Sequence, residues 1–281
     1  MPLANLITRF APSPTGHLHL GHALAALFAA RAAKQAGGRF LLRIEDIDAT
    51  RCRQAFEKAI HEDLRWLELQ WESPVRRQSE HMNDYAAALD KLAALDVLYP
   101  CFCTRKEIRV EIAAAGNAPH GPDGHLYPGT CRGIDKQVRE ERVKTGLSYA
   151  LRLDVEKATA LTGELDWSDA EAGAVAAKPH IFGDVVLARK DTPTSYHLAA
   201  TLDDHLQGVS LVTRGEDLFP ATHIHRLLQA LLDLDRPAYH HHRLLANEAG
   251  QRLCKRDKAL SLRALREAGK SPEEVRRMAE F

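Results

Sequence analysis

The apolar positions near the N-terminus change period from one segment to the next. Residues 6–11 form a short strand-like run, followed by the turn-rich loop Pro12-Ser13-Pro14-Thr15-Gly16. From Gly21 the chain reads GHALAALFAARAAKQAGG, dominated by alanine and leucine and closed by Gly37-Gly38, which predicts a helix. Arg39 to Ile44 (RFLLRI) predicts a buried strand that leads into acidic Glu45-Asp46-Ile47-Asp48. The next stretch, QAFEKAIHEDLRWLEL, has helical periodicity. Strand, loop, helix, strand, helix is the opening of a parallel α/β domain.

The pattern predicts a further amphipathic helix over Asn83 to Leu98. Tyr99 to Cys131 then carries three cysteines, several glycines and prolines, and little periodicity, so it reads as an insertion. Strands are expected at Leu147–Leu153 and Asp184–Arg189, helix then strand over Tyr196–Thr213, and a helix at His223–Leu232. The last segment, from Leu244, reads as a basic loop followed by short helices. The expected division is 1–98 and 191–245 for two halves of one α/β domain, 99–190 for the insertion, and 246–281 for the basic loop and terminal helices.

Composition narrows the class. A chain of 281 residues can bury a substantial core in one large or two modest domains. Hydrophobic residues at 45% and charged residues at 27% are ordinary for a soluble globular protein. The formal net charge is zero, so an RNA partner would have to use a local basic surface. MPLANLITRF places an arginine where a signal peptide stays apolar, and no run is long enough to span a membrane, so the expectation is a cytoplasmic protein with no membrane partner. Five cysteines, an odd number, do not suggest a disulfide framework and are better read as metal ligands or free thiols.

Candidate chemistry starts at GHLHLGH, residues 16–22. A strand, loop and helix put backbone N–H groups and the positive helix end at the carboxyl edge of a parallel sheet, an anion-binding position. His19 and His22 flank this helix start, where both can donate to a phosphate chain, and Gly21 allows close approach to the backbone. A metal site is the weaker reading, because no carboxylate or thiolate stands beside the imidazoles in the loop. Capping or core histidines are the plainer alternative.

Two blocks together sharpen this. RFAPSPTGHLHLGH over 9–22, followed by RIEDID over 43–48, resembles the catalytic domain of glutamyl-tRNA synthetases, with HLGH as the "HIGH" box of class I synthetases. The resemblance implies a Rossmann-like (HUP-type) parallel sheet, with His19, Gly21 and His22 at the ATP phosphates. It implies a second box, which Arg252-Leu253-Cys254-Lys255-Arg256 resembles with Arg252 and Cys254 as departures from "KMSKS" and Lys255 as the kept catalytic lysine. For the amino acid it implies Glu45 on the α-ammonium, Arg9 and the Phe10-Ala11-Pro12-Ser13 segment around the substrate, and Tyr196 with Arg214 further on. An arginine can pair bidentately with a side-chain carboxylate and leaves a neutral amide less satisfied, so Arg214 favours glutamate over glutamine. Ala200 stands where full-length enzymes often carry asparagine.

Cys101, Cys103 and Cys131 make a plausible zinc site that lacks one ligand. His120, His125 and Tyr127 are nearby, and on general chemistry His125 is the first choice. YPGTC, however, resembles the Tyr-x-x-x-Cys segment of glutamyl-Q tRNA(Asp) synthetases, which implies Tyr127 as the fourth ligand of a structural zinc. Cys52 and Cys254 read as unrelated free thiols. Tyr239-His240-His241-His242 reads as a strand entrance rather than a metal cluster. The sequence ends soon after Lys255, where a glutamyl-tRNA synthetase continues into anticodon-binding domains. With the cysteine-bearing insertion, this resembles the glutamyl-Q tRNA(Asp) synthetases over nearly the whole chain. The resemblance implies a ligase, expected to act as a monomer. It would use ATP with Mg²⁺ to activate L-glutamate without tRNA, then transfer it to queuosine in the anticodon stem-loop of tRNA(Asp).

Overall fold

The computed structural model describes residues 6–114, 120–122, 124–245, 261–279 and 281. The chain opens with β1 (Ile7–Phe10), α1 (Leu20–Gln35), β2 (Arg39–Ile44), α2 (Gln54–Trp66) and β3 (Glu72–Arg77). The three strands pair in parallel in the order β1-β2-β3. Helix α1 forms where its alanine- and leucine-rich sequence predicts, and it ends as the paired glycines predict. Gly37 takes φ 60°, Gly38 N–H donates to Ala33 O (2.8 Å) and Gly37 N–H to Lys34 O (3.2 Å), a Schellman closure. The chain then re-enters the sheet so closely that a Cβ on Gly38 would stand 2.0 Å from Leu6 O.

β3 has no counterpart in the hydrophobic pattern. ESPVRR is half exposed, lacks apolar alternation and contains a proline. It is held by charge instead. Arg39 Nε donates to Glu72 (2.8 Å) across the β2–β3 pair, and Arg76 Nε donates to Asp203 (2.7 Å) from the far end. Helix α3 (Met82–Ala94) stops short of the expected Leu98, because Asp96 turns to φ 55° and Leu98 starts β4 (Leu98–Cys101).

The insertion is more regular than its sequence suggests. It contains α4 (Arg105–Ala114), the small hairpin β5 (His120–Gly121) and β6 (Gly124–His125), α5 (Lys136–Lys144), β7 (Ala150–Leu153), α6 (Val155–Thr162), β8 (Asp166–Asp169), β9 (Gly173–Ala176) and β10 (Val186–Arg189). β7 is shorter than the expected Leu147–Leu153, and Leu147 is exposed. Strands β10, β7 and β4 form an antiparallel sheet in that order.

The second half contributes α7 (Tyr196–Leu206), β11 (Leu211–Gly215), α8 (Ala221–Leu232) and β12 (Ala238–His242), and the chain finishes with α9 (Leu262–Glu267) and α10 (Pro272–Met278). β11 and β12 run in parallel, and the β8–β9 hairpin adds to β12, although it lies within residues 99–190. Ser210 N–H donates to Ile7 O (3.0 Å), so β11 enters beside β1 and the two sheets abut. Phe10, Phe40, Leu42 and Ile44 face one layer with Leu24, Ile60, Leu64, Leu262 and Val275. A second core joins Tyr85, Leu198, Leu202, Ile224 and Leu228 on the other side. No helix among the described residues is long and apolar enough to cross a membrane.

Gly38→Ala should lower stability by about 1–3 kcal/mol, because the added methyl meets backbone and not a movable side chain. The urea midpoint of unfolding measures this, and an unchanged midpoint would contradict the close approach to Leu6.

Candidate active site

β1 and β11 lie side by side where the strand order reverses, with α1 packed on one face and α7 on the other. In open α/β sheets this switch point, at the carboxyl ends of the strands, is where a crevice opens. Side chains alternate along a strand, so Thr8 and Phe10 face α1 while Arg9 faces α7. There Arg9 Nε donates to Asp204 Oδ1 (2.8 Å) and Arg9 Nη1 to Thr213 O (3.0 Å), joining β1 to both α7 and β11. Arg43 Nη1 donates to the same Asp204 Oδ1 (2.8 Å), and its Nη2 to Glu45 Oε1 (3.2 Å). Burial works against the Arg43 charge, but Asp204, Glu45 and Asp203 more than offset it. Burial alone would raise the Asp204 carboxyl; Arg9 and Arg43 hold it below the usual carboxylate range. Burial does raise the carboxyl of Glu45, against the pull of Arg43 and Arg9.

The loop after β1 is pinned over this pair. Glu45 N–H donates to Pro12 O (3.0 Å) and Arg53 N–H to Pro14 O (3.0 Å). Phe10 sends its ring into the core beside Leu18 and Leu42. Pro12 is buried, Ala11 is partly buried, and Ser13 is exposed with its hydroxyl 3.8 Å from Cys52 Sγ.

His19 and His22 form the cap of α1. His19 Nδ1 accepts from Gly21 N–H (3.1 Å), and His22 Nδ1 accepts from His19 N–H (3.1 Å). A neutral imidazole whose Nδ1 accepts carries its proton on Nε2. Both rings therefore present Nε2–H as the donor, with centroids 3.8 Å apart. Gly21 serves His19 directly, since a Cβ there would meet the His19 ring at 3.0 Å. His17 packs edge-on against Phe56 of α2 (5.1 Å) and takes no part in the cap. Leu262 N–H donates to Leu18 O (2.8 Å), so the C-terminal helices return to this helix start. Arg252, Cys254 and Lys255 lie outside the described residues.

Arg214, on β11, is buried among neutral groups. Its Nε donates to His241 Nε2 (3.1 Å) and its Nη2 to Thr222 Oγ1 (2.6 Å). Nη1 lies 3.2 Å from His225 Nδ1 and 3.4 Å from the Tyr196 hydroxyl. Tyr239 lies under the guanidinium at 5.4 Å. No carboxylate among the described residues makes an ion pair with it. Tyr196 links the two clusters: burial raises its hydroxyl pKa, Arg214 and Arg9 oppose this, and Glu45 and Asp204 add to it. Arg9, Glu45, Tyr196 and Arg214 thus share one neighbourhood. Ala200 is fully buried on α7.

The insertion holds a separate cluster. The Sγ atoms of Cys101, Cys103 and Cys131 lie within 4.8 Å of one another. The Tyr127 hydroxyl stands 3.3 Å from Cys101 Sγ and 3.6 Å from Cys103 Sγ, and it accepts from Cys131 N–H (2.8 Å). His125 is exposed on β6. A metal could be held by the three thiols.

The catalytic-domain family of class I tRNA synthetases (E and Q) matches residues 5–279. A glutamyl-Q tRNA(Asp) synthetase of Rhodobacter capsulatus is 49% identical, the match covering 97% of this chain and 99% of the relative. The chain belongs to the glutamyl-Q tRNA(Asp) synthetases, within the class I (E and Q) synthetase family. A second member, from Nocardia farcinica, is 43% identical over 95% of this chain and 81% of its own length. A solved glutamate-tRNA synthetase from Elizabethkingia anophelis matches with a TM-score of 0.77 at 30% identity, over 90% of this chain and 53% of that one. The chain therefore spans about half the length of that solved synthetase.

Sequence reasoning did not reach Arg43, Asp203 and Asp204, nor the imidazoles around Arg214. A charged residue inside the otherwise apolar RFLLRI was the available signal for Arg43, and two adjacent aspartates in a helix of buried character the signal for Asp203-Asp204. Burial, aided by Arg214, holds His241 down to about 4, and burial holds His197 down to about 4. His225 lies well below the usual range for the same reason. The unfolded chain protonates these imidazoles near pH 6.5 and the folded protein resists until about pH 4, so acid favours unfolding. The stability is complete above pH 6.5 and is lost progressively down to about pH 4. Between pH 7 and pH 5 the loss should be about 1–2 kcal/mol for each buried imidazole. Urea midpoints at the two pH values measure it, and a pH-independent midpoint would contradict the neutral shell.

Proposed function

We propose that the chain activates L-glutamate with ATP and transfers it to the queuosine base in the anticodon of tRNA(Asp). The observation that carries the glutamate half is Arg214, a buried guanidinium with no carboxylate among its described partners. A ligand carboxylate supplies the missing counter-charge, and an amide does not. Glu45 takes the α-ammonium, with Arg9, Tyr196 and the main chain of Phe10–Ser13 around the substrate. The likeness to glutamyl-Q tRNA(Asp) synthetases at 49% identity over nearly the full length supports the acceptor.

The glutamate α-carboxylate attacks the α-phosphorus of ATP, and pyrophosphate leaves. His19 and His22 donate Nε2–H to the phosphates at the α1 N-terminus, beside Gly21, as charge grows there. Lys255 is assigned to the leaving pyrophosphate, and Mg²⁺ would accompany ATP. A hydroxyl of the queuosine cyclopentenediol then attacks the mixed anhydride and AMP leaves. Positioning and charge stabilisation suffice, with no covalent enzyme intermediate.

Incubation with ATP, labelled glutamate and tRNA(Asp) carrying or lacking queuosine tests the reading. Label is expected on the queuosine-containing tRNA only, with glutamate-dependent pyrophosphate exchange in the absence of tRNA. Label on unmodified tRNA(Glu) would show acceptor-end charging instead. Arg214→Gln should cut kcat/KM for glutamate by about 100-fold, the scale of a lost charge-assisted pair.

The thiol cluster suits zinc. Zinc–sulfur bonds of about 2.3 Å place tetrahedral ligands about 3.8 Å apart, and Cys103 Sγ and Cys131 Sγ lie 3.4 Å apart with the Tyr127 oxygen beside them. Cys101, Cys103, Cys131 and Tyr127 would hold the metal, which ties the insertion together. Metal analysis should find one zinc per chain, reduced in Cys131→Ser and in Tyr127→Phe; full zinc content in both would refute this ligand set.

A further inference from the structure

The groups around Arg214 are arranged in a fixed sequence of donors and acceptors. Asp169, at the end of β8, uses both carboxylate oxygens. Oδ1 accepts from Glu171 N–H and Ala172 N–H, each at 3.0 Å. Oδ2 accepts from His241 N–H (3.2 Å) and lies 2.8 Å from His241 Nδ1. A carboxylate only accepts, so His241 carries its proton on Nδ1 and turns the lone pair of Nε2 to Arg214 Nε–H. The ring is fixed by stacking parallel to Tyr239 and by the edge of Trp167. On the other side, Arg214 Nη1–H donates to His225 Nδ1, which leaves the His225 proton on Nε2, 3.2 Å from His197 Nδ1.

A guanidinium has five N–H groups. Four of them are met by His241, His225, Tyr196 and Thr222. Every one of those acceptors is uncharged, and Asp169 stands one imidazole away. Among the described residues the guanidinium is thus oriented without being neutralised. A direct carboxylate partner would hold it equally well but would cancel the charge that a substrate must meet.

We propose that Asp169–His241 and His197–His225 are positioning groups for amino-acid specificity: by fixing imidazole tautomers they hold Arg214 in place with its charge uncancelled, so that the pocket takes a carboxylate side chain and rejects an amide. This rests on the reading that glutamate binds at Arg214. Burial of the imidazoles keeps them neutral and so keeps them acceptors. The buried ion pair of Arg9 with Asp204 on the other side of Tyr196 is the contrast, since there the charge is cancelled and the residue ties elements together.

Asp169→Asn discriminates. If the amide oxygen stays with Glu171 N–H and Ala172 N–H, its NH₂ faces His241 Nδ1. The ring must then carry its proton on Nε2, and two donors oppose each other at Arg214. Pyrophosphate exchange should be measured against glutamate and glutamine for wild type, Asp169→Asn, His241→Gln and His241→Leu, with each variant's fold checked by its thermal melt. The KM for glutamate should rise about 10–100-fold in Asp169→Asn and His241→Leu, the scale of one hydrogen bond to a charged group, with kcat changing less. The preference for glutamate over glutamine should fall by a similar factor. His241→Gln keeps a carbonyl acceptor and should stay closer to wild type. Folded Asp169→Asn with unchanged KM and preference would overturn the proposal, and so would equal losses in His241→Gln and His241→Leu. If Asp169→Asn does not fold, the two His241 variants decide. Wild type without any glutamate-dependent exchange would overturn the glutamate reading, and this inference with it; wild-type exchange with indifferent variants overturns the inference alone.

Discussion

Asp204 is the point on which the rest of the crevice depends. One buried carboxylate on α7 receives Arg9 from β1 and Arg43 from β2, and Arg9 also reaches Thr213 O on β11. Three strands and a helix from both halves of the chain are fixed by groups that meet at this carboxylate. Such a cluster is not a source of stability relative to an apolar core, because desolvating the ions costs about what their attraction returns. What it supplies is location: the charges cannot separate without leaving one of them buried alone. Its neighbour Asp203 does the same in another direction, taking Arg76, Gln78 and the Tyr85 hydroxyl. Adjacent residues on a helix diverge by about 100°, so a helix surrounded by protein can hold two such anchors in succession.

Much of this was legible in the sequence where local chemistry and local structure agree. The helix of α1, its glycine closure and the buried strand β2 follow from residue type and spacing. So does the placing of His19 and His22 at a helix start, although Gly21 turned out to make room for the His19 ring as well. β3 and the β8–β9 hairpin were not legible. Neither carries an apolar period of its own, and each is specified by partners far along the chain: β3 by Asp203 and Arg39, β8 by Tyr239 and His241. α4 was hidden by the glycines and prolines that follow it. Arg214 was found through resemblance, but its neutral surroundings were not, because His225, His241 and Asp169 come from three separate segments.

The crevice divides its cations by how their charge is met. Arg9 and Arg43 stand against carboxylates and hold elements together. Arg214 stands against imidazoles, a hydroxyl and a phenol, and no described carboxylate pairs with it; in the reading proposed above its charge meets the substrate. The distinction follows from dielectric: in a buried site an uncancelled charge acts strongly on whatever enters. It also explains why so many histidines collect here. A buried imidazole that stays neutral offers an acceptor to Arg214 while adding no negative charge, and its second nitrogen passes the orientation to the next residue.

The insertion poses a different physical problem. Its helix α5 buries no side chain, and its own apolar cluster is small, built on Tyr99, Cys101 and Cys131 with Phe102, Cys103, Tyr127 and Ile134 at its edge. The later elements of the insertion add Leu153, Val155, Phe182, Val185 and Leu187 to the larger core, whereas among the described residues the cysteine-bearing loops pack mainly on this small cluster. The three thiols and the tyrosine converge in this cluster, with Arg152 stacked on the Tyr127 ring at 3.8 Å. A metal bound there would act where packing is weakest, linking β4 to the turn at Cys131. The crevice has no such need, because its loops are pinned by backbone hydrogen bonds at Pro12 and Pro14 and by the anchored arginines beneath them. Two different devices therefore order the two parts of the chain, buried charge in the crevice and clustered thiols in the insertion.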